Sequence, residues 1–431
     1  MEWLSLIGIV LAIALFVFFC FKKVKVFVST IIVSIVVMVL SGLPVLETMT
    51  GTYMSGFGKF MTNYLLLFLL SALFGKVMED SGSVRKIAVC VSDFAKKRRT
   101  PQFWAAFSLP VFYCLLSYVG ISGFTIIFTV LAIGRDLFKE LDVPWWMYPY
   151  GSAGIMWAIC LGGNIYNTNI IAANGFGTTL FAGMGMSVIC FIVYGVVLAL
   201  LCLHDLNKYK KKGEGFLPSG APMLEAKMKE ASSELPNLLV AIIPLVLPIV
   251  LLAAFQVDVL VSMLAAIVAC VLLNIKHIHN VKDTVCDGCA AGIMPLVNVC
   301  AATGFVSVIQ ATTGYALAMD ALTQLPALAS ALGLGLIMSA VVASSTSALS
   351  PIIGSLVEMY ASADIGAESA HRLSTMAVCT YMTPHNSGVV NALSLNKLSF
   401  AKGAWIYFYT TFIPGICALA VGILLVLTGI F

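Results

Sequence analysis

Charge is what this chain has least of. Asp, Glu, Lys and Arg make up 10% of its 431 residues, while 60% are hydrophobic; a soluble domain carries about 25% charged residues. A water-soluble core cannot hide that much apolar surface, so the solvent of most of the chain is lipid. A disulfide framework is also missing. Most of the 12 cysteines sit inside apolar runs (Cys20, Cys114, Cys160, Cys190, Cys270, Cys300, Cys417), where the residue acts as a small hydrophobe. Cys286 and Cys289 form a lone C-x-x-C with no second pair, which reads as packing at a helix start rather than a metal site. The first apolar run, Trp3–Phe21, lacks the leading positive charge of a signal peptide: Glu2 precedes it and Lys22, Lys23 and Lys25 follow. It is read as the first span. No loop is long enough for a soluble domain. No acid stands clearly at mid-membrane, since Glu79, Asp80 and Glu358 lie near span ends and Asp258 and Asp320 in loops.

What is present are charge-poor runs of about 20 residues, the length that crosses a bilayer core of about 30 Å. Basic clusters separate them at Lys22–Lys25, Arg85–Arg99, Lys208–Lys229 and Lys276–Lys282. Loops rich in Lys and Arg stay in the cytoplasm. Spans are expected near 3–21, 24–43, 62–82, 145–173, 178–203, 237–255, 258–275, 289–310, 371–396 and 403–429, with hairpins at 101–134 and 327–359 that enter and return on one side. This topology puts both termini outside, and all Lys and Arg except Lys59 and Arg372 at the cytoplasmic side. The expected setting is the cytoplasmic (inner) membrane of a bacterium.

The chain reads as an inverted duplication. Ser55-Gly56 and Ser81-Gly82 bracket one 28-residue stretch, and Asp287-Gly288 and Thr313-Gly314 bracket another. After each comes a polar break, Ser117–Gly123 and Ser344–Ser350, and then a second one, within Gly162–Asn174 and Thr383–Asn391. The second breaks share Asn-x-x-x-x-Asn, as Asn169/Asn174 and Asn386/Asn391. The loop after Gly82 holds six basic residues up to Arg99, whereas none follows Gly314 before Arg372, so the halves face opposite ways. The expected fold class is an all-α polytopic membrane protein, an inverted repeat of two halves (1–203 and 237–431), each with a re-entrant hairpin and a broken transmembrane helix. A cytoplasmic linker, 204–236, joins them. Such repeats are the usual plan of secondary transporters.

Non-helical backbone cannot face lipid, because each unpaired N–H or C=O costs several kcal/mol. Four polar breaks therefore point to one central cavity. Its candidate substrate-binding residues are Ser117, Ser122, Asn164, Asn167, Thr168, Asn169, Ser344, Ser345, Thr346, Ser347, Thr383, His385, Asn386 and Ser387. They are mostly neutral donors and acceptors. Helix N-termini freed at the breaks add partial positive charge suited to a carboxylate. Freed carbonyls suit Na⁺, with a candidate site near Asn169, Asn174, Asn386 and Asn391. His385, taken as the only histidine within a span, is a candidate proton carrier. His277 and His279 sit beside Lys276 in a cytoplasmic loop and read as a solvated turn. No cofactor and no nucleic-acid partner is expected.

Gly56-Phe57-Gly58-Lys59, Ala72-Leu73-Phe74-Gly75-Lys76, Asp80-Ser81-Gly82 and Ile87-Ala88 resemble the gluconate permease (GntP) family of the ion transporter superfamily. Pro110-Val111-Phe112-Tyr113 resembles its next motif, although Cys114 stands where the family commonly has an acid. The resemblance implies a symporter of small hydroxycarboxylates or other organic acids. It also implies a homodimer with a scaffold part and a moving transport part. The expected function is H⁺- or Na⁺-coupled symport of a small organic anion by an elevator motion; the alternative is a cation/proton antiporter of the same architecture. An enzyme is not expected, because no metal cluster or nucleophile with its base is evident.

Overall fold

The computed structural model describes every residue except 1, 23, 122, 218, 225–234 and 385. The described chain is all-helical. It opens with two apolar helices, α1 (Glu2–Phe21) and α2 (Val26–Leu40). The short α3 (Val45–Thr48) passes through a π-helical turn, Met49–Tyr53, into α4 (Met54–Asp80), giving a 36-residue rod. At 1.5 Å per residue the rod exceeds the bilayer core. Gly82, at φ +72°, turns the chain into the amphipathic α5 (Ser83–Lys96).

The helices α6 (Pro101–Tyr118) and α7 (Gly123–Glu140) follow as a pair joined by a short tip. Then α8 (Tyr150–Cys160) and α9 (Asn167–Phe176) make one span interrupted at 161–166, and α10 (Met184–Lys211) closes the first half. A single turn, α11 (Ala221–Leu224), lies in the connector. The second half repeats the order: α12 (Leu238–Phe255) and α13 (Val259–Leu273), the long α14 (Val281–Gln310), and α15 (Thr313–Thr323). Next come the pair α16 (Ala327–Val342) and α17 (Ser345–Ser362), the interrupted span α18 (Ala367–Val378) and α19 (Ser387–Leu395), and α20 (Phe400–Leu427).

Among the described residues, five helical stretches are long and apolar enough to cross a membrane, namely those containing α1, α4, α10, α14 and α20. Large apolar side chains such as Leu46, Leu239, Phe255, Leu272 and Leu427 stand exposed on the outer surface. In water such a surface would drive aggregation; in lipid it is solvated. The protein is a multi-pass membrane protein.

Two rods form the frame. α4 packs along α14, and each half lends its paired helices to the other half's rod: α1 and α2 lie on α15 and α14, α12 and α13 on α5 and α4. Two of the four glycines expected to bracket spans, Gly56 and Gly288, do something else, whereas Gly82 does follow the end of α4. Gly56 lies inside α4, where a Cβ would run into the Ser307 side chain and come to 3.2 Å from Thr303 O. Gly288 lies inside α14, 3.0 Å by the same measure from Leu73 Cα. Gly292 and Gly304 repeat this against Phe68 O and Tyr53 O, both at 2.9 Å. Hydrophobic burial does not drive helices together in lipid, so close backbone approach at small residues does. The third span accordingly begins at Val45 rather than 62, and the eighth at Val281 rather than 289. The last turns of α10 reach Lys211, inside the expected linker, which begins with helix rather than loop.

Gly292→Leu should lower stability by about 2 kcal/mol through overpacking against the α4 backbone. Gly354→Ala, inside α17 with nothing within 4 Å of a new Cβ, should be neutral or stabilise by up to about 1 kcal/mol. Thermal unfolding of the detergent-purified variants checks both.

Candidate functional site

Each interrupted span is tied to the tip of the helical pair in its own half. In the first half, Ile165 N–H donates to Tyr118 C=O at 2.8 Å, and the Tyr118 hydroxyl donates to Gly162 C=O at 2.8 Å. Gly120 holds φ +83° at the tip, where a Cβ would stand 3.1 Å from Ile165 O; only glycine fits both conditions. In the second half, Asn386 Nδ2 donates to Ala343 C=O, and Ala343 itself is left-handed at φ +55°. Ser339 Oγ donates to Val378 C=O at 2.7 Å, fixing the end of α18 on α16. The halves then meet: Thr168 Oγ1 of α9 lies 3.3 Å from both Ser345 Oγ and Thr346 Oγ1 of α17.

The breaks are ordered by their own side chains. Asn164 closes the first one, accepting from Tyr166 N–H at 3.2 Å and donating to Leu161 C=O at 2.6 Å. Asn386 Oδ1 caps α19, accepting from Gly388 N–H at 2.8 Å and Val389 N–H at 3.2 Å. Ser344 Oγ caps α17, accepting from Ser347 N–H at 3.4 Å and from Ser347 Oγ at 3.0 Å. Four helices, α7, α9, α17 and α19, start at these tips and breaks, so four positive dipole ends converge on one region.

A cavity of about 1700 Å³ occupies that region. Asn167, Ser344, Ser345, Thr346, Ser347 and Asn386 line it, with Tyr166, Gly120 and Gly123. It continues to Lys76, Asp80, Arg135 and Asp136 at the basic ends of α4 and α7. There Lys76 Nζ pairs with Asp80 Oδ1 at 2.8 Å, Thr284 Oγ1 donates to Asp80 Oδ2 at 2.7 Å, and Arg135 pairs with Asp136 at 2.8 Å. His277 and His279, in the turn between α13 and α14, also border the cavity, with His279 exposed.

The other sequence candidates are placed differently. Ser117 and Thr383 are buried with hydroxyls that have no partner among the described residues. Ser122 and His385 lie outside the described residues, as do the side chains of Ser387 and Asn391. Asn174 is exposed on α9. Asn169 is fully buried and faces away from the cavity lining: its Nδ2 donates to Asn164 C=O at 2.7 Å and Leu180 C=O at 3.2 Å. Of the asparagines grouped as a candidate cation site, Asn169 is buried, Asn174 is exposed on the same helix, and Asn386 caps α19.

Asn169 leads to residues the sequence reading missed. His371 Nε2 lies 2.8 Å from Asn169 Oδ1 and its Nδ1 2.7 Å from Thr178 Oγ1; Arg372 Nη2 donates to the same Asn169 oxygen. Both residues are fully buried in α18. His385 is therefore not the only histidine within a span. A signal was present in the charge pattern: Arg372 is one of two basic residues that the topology leaves off the basic side. The buried acid Asp205 was likewise assigned to the linker, yet it accepts from Tyr150 Oη at 2.8 Å and from the Tyr409 hydroxyl at the end of α10.

Asn386→Ala removes the α19 cap and the tie to Ala343 together. It should lower stability by about 1–2 kcal/mol, read as a fall in the melting temperature, while Asn167→Ala, which caps nothing, should leave that temperature within the error of wild type.

Comparison with known proteins completes the picture. The GntP family permease model matches residues 4–262. The uncharacterized transporter YxjC of Bacillus subtilis (strain 168) is 22% identical over 479 aligned residues, covering 99% of this chain and 100% of that protein. The crystal structure of the Alcanivorax borkumensis YdaH transporter, reported to have an unusual topology, is similar with a TM-score of 0.53 at 12% identity, over 89% of each chain. At that identity the likeness concerns the fold alone. The family match extends from the first span into α13, more than half of the molecule, and the chain belongs to the GntP permease family, whose members are transporters rather than enzymes.

Proposed function

We propose that the protein is a secondary active transporter that carries a small organic acid anion, gluconate or another hydroxycarboxylate, in symport with H⁺ or Na⁺. The observation that carries this reading is the convergence of four helix N-termini and a rim of neutral hydroxyl and amide groups on one cavity. Such a site stabilises a carboxylate by dipole ends and hydrogen bonds, and it does so without burying a fixed acid beside it. The two halves act as inverted copies, 1–203 and 237–431. α6–α10 and α16–α20 move as one body against the frame built on α4 and α14, in a homodimer in the bacterial inner membrane. With the basic loops in the cytoplasm, the cavity reaching Lys76 and Arg135 faces inward. The tie of Thr168 to Ser345 and Thr346 holds the two halves of the site together during the motion. An antiporter needs a titrating acid at the site, whereas Asp80 and Asp136, which border the cavity, are paired with Lys76 and Arg135, and the buried Asp205 is held by two tyrosines at the basic end of α10.

Purified protein in proteoliposomes should take up labelled gluconate or a related hydroxycarboxylate when either an inward Na⁺ or an inward H⁺ gradient is imposed. Asn167→Ala and Asn386→Ala should each lower that uptake about tenfold or more, the loss expected when a hydrogen bond to a charged ligand is removed. Absence of uptake of every hydroxycarboxylate under both gradients would sink the reading.

A further inference from the structure

α18 carries Arg372 into the interior, between the first turn of α9 and the start of α10. The side chain is 0% exposed. Its Cγ lies so close to Gly183 that a Cβ there would stand 2.7 Å away. Nη2 donates to Asn169 Oδ1 and lies against His371 Nε2, while Nε and Nη1 have no hydrogen-bond partner among the described residues. No ion pair among the described residues includes Arg372. The acid one turn earlier, Glu368, is exposed and accepts instead from Gly183 N–H at 2.9 Å. A guanidinium keeps its charge in a protein at any accessible pH. Burying it in the protein interior without a carboxylate is heavily penalised, and a charge kept there at such a cost is a functional-site candidate.

Asn169 connects this charge to the cavity. It belongs to the first turn of α9, whose Tyr166 and Asn167 line the cavity, and the N-terminus of that helix has no side-chain cap. The guanidinium therefore stands one helical turn behind an open dipole end and reinforces it. We propose that Arg372 is the fixed counter-charge of the anion site, acting across Asn169 on a single carboxylate held at the N-terminus of α9. It is a positioning residue: it does not touch the cavity, but it orders the first turn of α9 and supplies the positive field there. The ligand class that follows is a monocarboxylate, favoured over the uncharged amide of the same acid. This rests on reading the cavity as an anion site.

The test compares sodium gluconate with gluconamide as stabilisers of the purified protein, at constant ionic strength set with sodium chloride, by thermal unfolding. Wild type should bind gluconate about tenfold more tightly than gluconamide, the scale of one unit charge acting over several ångströms at intermediate dielectric. Arg372→Lys should keep that preference. Arg372→Gln should bind both compounds alike; a purely structural role would weaken both in proportion and leave the ratio unchanged. Asn169→Asp sets a carboxylate where Arg372 already donates, so it neutralises the charge without deleting it and should also abolish the preference. This second variant decides the matter if Arg372→Gln does not fold. A wild type stabilised by neither compound or by both equally, or a preference that survives in Arg372→Gln or Asn169→Asp, overturns the proposal. Lack of gluconate uptake by wild-type proteoliposomes would instead count against the transport reading, since the binding ratio is measured separately from it.

Discussion

The structure depends on one constraint: a backbone N–H or C=O that leaves a helix inside a membrane must find a partner within the protein. Each of the four interruptions meets that demand with a specific bond. Asn164 closes the first break on itself, and Ile165 ties it to the tip of α6. Asn386 caps α19 and reaches across to Ala343. Because the partners come from the neighbouring interruption, the breaks cannot be scattered. They must gather, and the cavity is where they gather.

The frame answers a different demand. Two long helices in lipid gain little from apolar burial against each other, so their contact is built from close approach. Gly56, Gly288, Gly292 and Gly304 permit it along the whole length of α4 and α14. The exchange of α1 and α2 with α12 and α13 across this axis then makes each half incomplete without the other. The frame of long helices and the polar, self-tied cluster of short helices are built on different contacts, close backbone approach in the one and hydrogen bonds in the other.

Charge is rare in this molecule, and where it leaves the surface it is held by name. The buried Asp205 is held by two tyrosines, and the half-buried Asp80 by Lys76 and Thr284. Arg372 departs from this pattern, with two of its donors unsatisfied among the described residues. A buried guanidinium with no carboxylate partner among the described residues, beside helix N-termini, makes the local potential positive.

Much of the fold was legible in the residues. Lipid as solvent, the helical class, the positions of the interruptions and the family followed from apolar run length, polar clusters and the 56–88 motif, because each is a property of contiguous sequence. That Asn167, the Ser344–Ser347 run and Asn386 would line a cavity was legible for the same reason: a polar cluster in an apolar run has nowhere else to go. What the chain order could not reveal is direction. Asn167 and Asn169 are two residues apart on one helix and face opposite ways, one into the cavity and the other to Arg372. Likewise Gly56 and Gly288 read as span ends until the packing of α4 on α14 placed them mid-helix. Sequence determined which groups must be buried; only the tertiary structure decided which partner each would meet, because that depends on helix rotation and on contacts between residues some 200 positions apart.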